Sequence, residues 1–181
     1  RTTTVPILFR AADVEVQVFA MPKHGMATIW DADVLIWAAS QIVAAENNGL
    51  TTSRFFRFMP YQLLRAIGRA TGSRDYLLLK AALARLQSTV IATTIRNGAH
   101  WRRRQFSWIN DWEELTTRAG RVEGMEFVLP EWFYASVLDR SLVLTIDPAY
   151  FRLTGGIERW LYRVARKHAG RQPEGWVFEV S

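Results

Sequence analysis

Three consecutive arginines, Arg102, Arg103 and Arg104, are well suited to binding phosphate. A guanidinium donates hydrogen bonds from a planar fork that matches two phosphate oxygens, and it can also pair with guanine edges. Arg96 and Trp101 lie in the same stretch. We therefore expect these arginines to contact nucleic-acid phosphates, and Trp101 is the aromatic residue best placed to stack on a base. A solvated strand edge is the alternative interpretation.

A helix followed by a hairpin is predicted to position these arginines. Leucines recur at three- and four-residue spacing in 73–88, which predicts a helix, and 90–96 is a β-branched run typical of a strand. Asn97-Gly98 predicts a tight turn, and 99–109 is the returning strand. This order predicts a winged helix-turn-helix, in which the helix enters the major groove and the hairpin, as the wing, contacts the flanking backbone.

The helix itself supplies further candidates for DNA contact. Arg74, Lys80 and Arg85 lie away from its leucine stripe. Thr71 and Ser73 lie at its start, where backbone N–H groups can hold a phosphate, although these side chains can equally cap the helix. The alternative is that this face packs against a partner domain or a second copy.

The rest of the chain extends the same fold. Alternation predicts a strand at 14–19, and helical periodicity predicts a helix at 31–47. The remaining predictions are a short strand at 54–58, a helix from Pro60, a loop at 111–124, strands at 125–129 and 142–146, and a helix at 131–138. The fold class is α+β, a winged helix-turn-helix domain with added strands, spanning 1–147.

A second domain is predicted to begin at 148 and to continue to 181. Its first helix, 157–168, carries an apolar side and a basic side. The basic side holds Arg159, Arg163, Arg166 and Lys167, which are candidates for phosphate contact. Because the sequence begins at Arg1 and stops just after a strand-like stretch at 176–180, we expect a fragment of a longer protein.

Composition favours a nucleic-acid partner and argues against an enzyme. Lys and Arg number 23 against 17 Asp and Glu, for a net charge of +6 and a pI near 10.2. Lack of cysteine excludes disulfides and thiolate metal sites, and it is consistent with a cytoplasmic protein. The three histidines are scattered, no glycine-rich phosphate loop occurs, and no apolar run is long enough to cross a membrane. We expect no catalytic residue, cofactor, metal or membrane partner.

Several stretches resemble the replication initiator protein A family of bacterial plasmids. They are Trp30–Ile36, Tyr61–Arg69, Tyr76–Thr94, Phe106–Ile109, Leu144–Gly156 and Glu158–Gly170. The resemblance implies two winged helices in tandem, the second interrupted by the end of this chain. It also implies binding of double-stranded repeats at a plasmid origin to start replication. The implied partners are origin DNA, a second copy bound through the first winged helix, and host replication proteins such as the replicative helicase and initiator.

Two other functions stay open at this point. The winged helix can serve mainly for dimerisation or protein association, with DNA bound by the part of the protein that is missing here. A general single-stranded DNA-binding protein is the other, although the helix-rich order differs from the β-barrels typical of that class.

Overall fold

The computed structural model describes residues 3–11, 14–97, 100–139, 143–169 and 177, and the side chains of 95–97 and 100–102 lie outside that description. The helices are α1 (Ala32–Asn47), α2 (Pro60–Ala66), α3 (Ser73–Ser88), α4 (Glu131–Leu138) and α5 (Gly156–His168). A 3-10 helix covers Pro148–Arg152. The strands are β1 (Ile7–Ala11), β2 (Val14–Phe19), β3 (Phe55–Phe58), β4 (Val90–Asn97), β5 (His100–Ser107), β6 (Asp111–Thr116) and β7 (Val122–Val128).

A winged helix forms the centre of the molecule. Its elements follow in the order α1, β3, α2, α3, β6, β7, and its antiparallel sheet has the order β3-β7-β6. Pro60 occupies the first turn of α2, where its missing N–H leaves no hydrogen bond unmade. The fold class predicted from the sequence is confirmed, with β1, β2, β4 and β5 as the added strands.

The predicted wing is the wrong hairpin. The β4–β5 hairpin, which follows α3 directly, pairs through β4 with β2, in a separate sheet of order β1-β2-β4-β5. The hairpin that pairs with β3 beside α3 is β6–β7, so this one is the wing. Chain order alone suggested the first hairpin, whereas strand pairing decides which hairpin completes the winged-helix sheet.

The core joins three helices to the wing sheet. Val34, Ala38 and Ile42 of α1 are each at most 2% exposed, as the helical stripe predicts. They belong to one buried cluster with Leu83 of α3 and Phe127 of β7. Burial of such side chains is worth roughly 1.5–3 kcal/mol each, so this cluster fixes how α3 sits against the wing.

Two other sequence predictions need correction. Residues 111–124, predicted to be a loop, form β6, the wing turn and the start of β7, and Trp112 packs against the core from β6, a signal that the surrounding carboxylates obscure in the sequence. The strand predicted at 142–146 is not formed over its described residues, 143–146. The turn predicted at 97–98 and the strand-like stretch at 176–180 lie largely outside the described residues.

Candidate nucleic-acid interface

The first turn of α3 presents Ser73 and Arg74 to solvent. Gly72 caps this turn, and the Asp75 carboxylate accepts a 3.0 Å hydrogen bond from the Gly72 N–H. The helix N-terminus is therefore already neutralised by a carboxylate. Thr71 is half-buried, and no side chain caps the start of α3. No contact in the structure therefore supports capping or phosphate binding by Thr71.

The tip of the wing carries two arginines. Between β6 and β7 the chain turns tightly, with Thr117 N–H donating to Arg121 O at 2.8 Å and Gly120 N–H donating to Thr117 O at 2.9 Å. Gly120 has φ 78°, a conformation that favours glycine. This turn leaves Arg118 and Arg121 exposed at the outer end of the wing.

Strand β6 runs antiparallel to α3 and brings the wing tip toward the helix start. Near the C-terminal end of α3, Gln87 donates to Asn110 O at 3.3 Å, and one to two turns earlier Lys80 Nζ lies 3.0 Å from Glu114 Oε2. A strand advances about 3.3 Å per residue and a helix 1.5 Å. Four residues beyond Glu114, the strand direction reaches the level of the first turn of α3, so Arg118 lies on the same end as Arg74.

The β4–β5 hairpin extends from the other end of α3. Its base is held there by a 3.2 Å hydrogen bond from Trp108 N–H to Leu86 O. Arg103 and Arg104 are both exposed and lie opposite Thr94 and Thr93. Successive strand residues face opposite sides, so the two guanidinium groups lie on different faces of this sheet. The side chains of Arg96, Trp101 and Arg102 lie outside the described part of the structure.

Lys80 and Arg85, predicted to contact DNA, are both paired with carboxylates. Lys80 and Glu114 are half-buried partners across the α3–β6 contact. Arg85 donates from Nε and Nη2 to Asp31 at 2.8 and 2.7 Å, and the Asp31 side chain is 1% exposed. The hydrogen bond to Asp31 raises the pKa of Arg85 above its ordinary value. Arg85 therefore holds α3 against the start of α1, and a DNA contact by Arg85 stays a prediction.

Arg159 is also a structural residue. It is 2% exposed, and its Nη1 lies 2.7 Å from both carboxylate oxygens of Asp33. Its remaining donors bind the carbonyls of Leu153 and Phe151, and its guanidinium lies 4.0 Å over the Trp30 ring. Every side of the group is occupied, so Arg159 is unavailable to a phosphate.

The other cations of α5 remain on the surface. Arg163, Arg166 and Lys167 are exposed, and Arg166 donates to Thr145 O at 3.1 and 2.9 Å. Because Arg159 anchors α5 by its polar side, the apolar residues Ile157 and Trp160 face outward. At the start of this helix a cation is therefore buried while apolar residues are exposed, the reverse of an ordinary amphipathic helix.

The outward face of α3 is more apolar than cationic. Leu77 and Leu78 are 63% and 47% exposed, while Lys80 and Arg85 are paired with carboxylates. Only the first turn of the helix therefore offers an exposed cation, Arg74. Among the described residues, no group of three or more His, Asp and Glu side chains is arranged to hold a metal ion, and no helix there has the length and apolarity to span a membrane.

Sequence reasoning missed two sets of residues. Arg118 and Arg121 were placed in a loop, although the Thr117-to-Gly120 turn is a local signal for a hairpin tip. Asp31 and Asp33 bind Arg85 and Arg159, which lie 54 and 126 residues away in the sequence, and no local sequence pattern indicates such long-range pairs.

The comparisons with known proteins agree on replication. The family model described as replication initiator protein A matches residues 1–181. A putative replication protein of Wigglesworthia glossinidia brevipalpis is 34% identical over 152 residues, which cover 82% of this chain and 55% of that relative. The chain thus spans about half the length of the curated relative it matches.

Solved structures support the fold alone. A crystal structure of domains 2 and 3 of RctB matches 90% of this chain and 65% of its own, with a TM-score of 0.67 and 11% identity. A second structure of the same RctB domains matches 93% of this chain and 64% of its own, with a TM-score of 0.65 and 10% identity.

Proposed function

Because the chain belongs to the replication initiator protein A family, we propose that it binds duplex DNA at a replication origin through the first turn of α3 and the tip of the wing. Arg74, Arg118 and Arg121 supply the phosphate contacts. The partners we propose are plasmid origin DNA, a second copy of the chain, and host replication proteins including the replicative helicase and initiator.

One observation carries the proposal: β6 runs antiparallel to α3, toward the end of the helix that carries exposed Arg74. Arg74 comes from α3, and Arg118 and Arg121 come from the turn that the β6 direction brings to the same end. Within the described residues, none of the three makes an ion pair with a carboxylate. A recognition helix and a wing that contact neighbouring backbone segments are the usual docking geometry of this fold.

The β4–β5 arginines have a secondary role in this proposal. They lie toward the opposite end of α3, so they contact phosphates flanking the main site. Only one of Arg103 and Arg104 can face a given duplex, because they project from opposite faces of the sheet. The surface cations of α5, Arg163 and Lys167, stay candidates for flanking contacts as well.

Fluorescence anisotropy with an origin duplex, measured over a salt series, tests the proposal. Each phosphate contact contributes about 0.9 to the slope of log K against log salt. Replacing Arg74, Arg118 and Arg121 together by alanine should lower that slope by about 2.7. Arg57→Ala is the control, because Arg57 is an exposed arginine on β3 that lies 3.5 Å from Glu126. An unchanged slope in the triple variant, with normal folding, contradicts the proposal.

A second candidate function is protein association through α3, favoured by the exposure of Leu77 and Leu78. Replacing both by serine should leave the salt slope unchanged if the face binds a protein. Origin-dependent loading of a purified replicative helicase should then fall. If the variant instead loses DNA affinity and loads helicase normally once bound, the leucines contact DNA.

A further inference from the structure

A cavity of about 980 Å³ separates α1 and α4 from the segment that leads to α5. Its wall includes α1 from Ala32 to Asn47, the aromatic residues Trp132 and Phe133 of α4, and the segment 143–148. Pockets for small molecules occupy roughly 300–1,000 Å³ and are largely apolar. This cavity therefore has the size of a small-molecule site.

The wall of the cavity is held in place by contacts within the chain. Arg166 donates from Nε and Nη2 to Thr145 O at 3.1 and 2.9 Å, and Asp147 N–H donates to the Tyr162 hydroxyl at 2.8 Å. These bonds tie the segment 143–148 to α5. Within α4, Trp132 packs against Phe106 with ring centroids 4.6 Å apart. The cavity is therefore formed without a ligand, as is usual for small-molecule sites.

Most of the lining is apolar. Leu35, Ile36 and Val43 come from α1, and Val137 and Ile146 come from α4 and the segment after it. Such side chains favour a ligand that removes apolar surface from water. Because the wall comes from several elements, the cavity suits a small molecule with an apolar body better than a protein helix laid along one face.

One polar group of the wall lacks a partner. Ser40 and Ser136, which also line the cavity, donate to backbone carbonyls of their own helices at 2.6 and 2.7 Å. The Nε1–H of Trp132 is buried and has no acceptor among the described residues. A buried tryptophan N–H usually has an acceptor, and one without it calls for an explanation. An oxygen atom of a ligand would be that acceptor.

Arg163 adds a positive charge to this lining. Among the described residues that line the cavity it alone is charged, and its side chain is exposed. No described carboxylate lies within ion-pair distance of its guanidinium. An apolar interior with one unpaired cation complements a molecule that has an apolar body and a single anionic group.

We propose that this cavity binds a fatty acid that carries a second oxygen acceptor away from its carboxylate, such as a hydroxy or oxo acid. The chain occupies the apolar interior, and the carboxylate pairs with Arg163. The second oxygen accepts a hydrogen bond from Trp132 Nε1–H. A neutral lipid would leave Arg163 without a partner, and an unsubstituted hydrocarbon would leave both groups without one.

Fluorescence titration with dansylaminoundecanoic acid tests this proposal. The probe has a carboxylate at one end, an apolar chain, and sulfonyl oxygens at the other end, and its emission shifts to the blue in apolar surroundings. Titration of the chain without DNA should show saturable binding of one probe per chain, and hydroxystearic acid should displace the probe. Absence of saturable binding overturns the proposal and would leave a protein segment as the occupant of the cavity.

Two variants test where the probe binds. Arg163→Met should weaken binding of the acid by about two- to fivefold, as expected for an exposed ion pair, and should leave binding of its methyl ester unchanged. Trp132→Phe keeps a ring and removes the N–H, so it should weaken the acid and the ester alike, by about fivefold. Lys167→Met and Trp160→Phe are the matched controls, because neither residue lines the cavity.

Several results would overturn the site. They are equal losses of acid and ester affinity in Arg163→Met, equal losses in the control variants, and unchanged affinity in both Arg163→Met and Trp132→Phe. Circular dichroism establishes that each variant is folded, and Arg163→Met, at an exposed position, keeps the test decisive if Trp132→Phe fails to fold. Because no DNA is present, failure of the proposed DNA contacts would leave these results unaffected.

Discussion

The two hairpins whose bases lie at the C-terminal end of α3 differ both in charge and in the strands with which they pair. The β4–β5 hairpin, 90–107, has four arginines and no carboxylate, whereas the wing, 111–128, has five carboxylates and two arginines. The wing is nevertheless the hairpin whose sheet lies beside α3. Its carboxylates lie along the strands, where Glu114 pairs with Lys80 and Glu126 with Arg57, and its arginines lie at the tip. We therefore expect the local charge at the tip, and not the net charge of the hairpin, to decide whether the wing can bind phosphate.

A buried arginine should stabilise the fold, whereas an exposed one should not, and the largest effect that we expect is on the free energy of unfolding. Replacing buried Arg159 by methionine leaves Asp33 in the interior with fewer partners, which typically costs about 3–5 kcal/mol. Arg163→Met on the same helix is exposed and should change the free energy of unfolding by less than about 0.5 kcal/mol. Urea unfolding measures both, and equal stabilities would show that burial of Arg159 contributes nothing.

The next largest effect is expected at the wing tip. Arg118→Glu combined with Arg121→Glu would remove both of the proposed phosphate contacts and make the whole wing acidic. The salt slope should fall by about two, and affinity at low salt should fall with it. A fall in affinity without a change in slope would mean that the tip acts through something other than phosphate.

A smaller effect is expected at the arginine hairpin. Arg103→Ala with Arg104→Ala should lower the slope by about one rather than two, because the two side chains lie on opposite faces. A fall of two in the salt slope would show that both side chains contact DNA, which would contradict their placement on opposite faces of the sheet. A loss larger than that of the wing-tip variant would reverse the ranking of the two hairpins.

The smallest effect concerns the wing carboxylates. Glu113→Gln removes an exposed negative charge that lies opposite Glu126 in the β6–β7 ladder. DNA affinity should rise about two- to threefold, since exposed charge interactions contribute only ~0.2–1 kcal/mol. Glu131→Gln, at an exposed carboxylate outside the wing that lies 3.9 Å from Arg54, is the comparison for a general charge effect; an equal rise there would remove any special role of the wing.

Local patterns predicted most elements, and long-range pairing explains what they missed. Helix α3, the leucines of its buried side and Pro60 at the start of α2 follow from residue spacing alone. Which hairpin is the wing depends on whether β4 joins β2 or β3, a choice between partners far apart in the sequence. Likewise, the sequence does not distinguish an exposed arginine on a helix from a half-buried one such as Arg85, whose partner Asp31 lies 54 residues away.

The most direct test of the central claim is site-specific DNA cross-linking from single cysteines. Because the chain has none, a photoactivatable group can be attached at Arg118→Cys or at Arg104→Cys, both exposed positions. We expect efficient cross-linking to an origin duplex from position 118 and weaker cross-linking, to flanking nucleotides, from position 104. Cross-linking from position 104 with none from position 118 would contradict it.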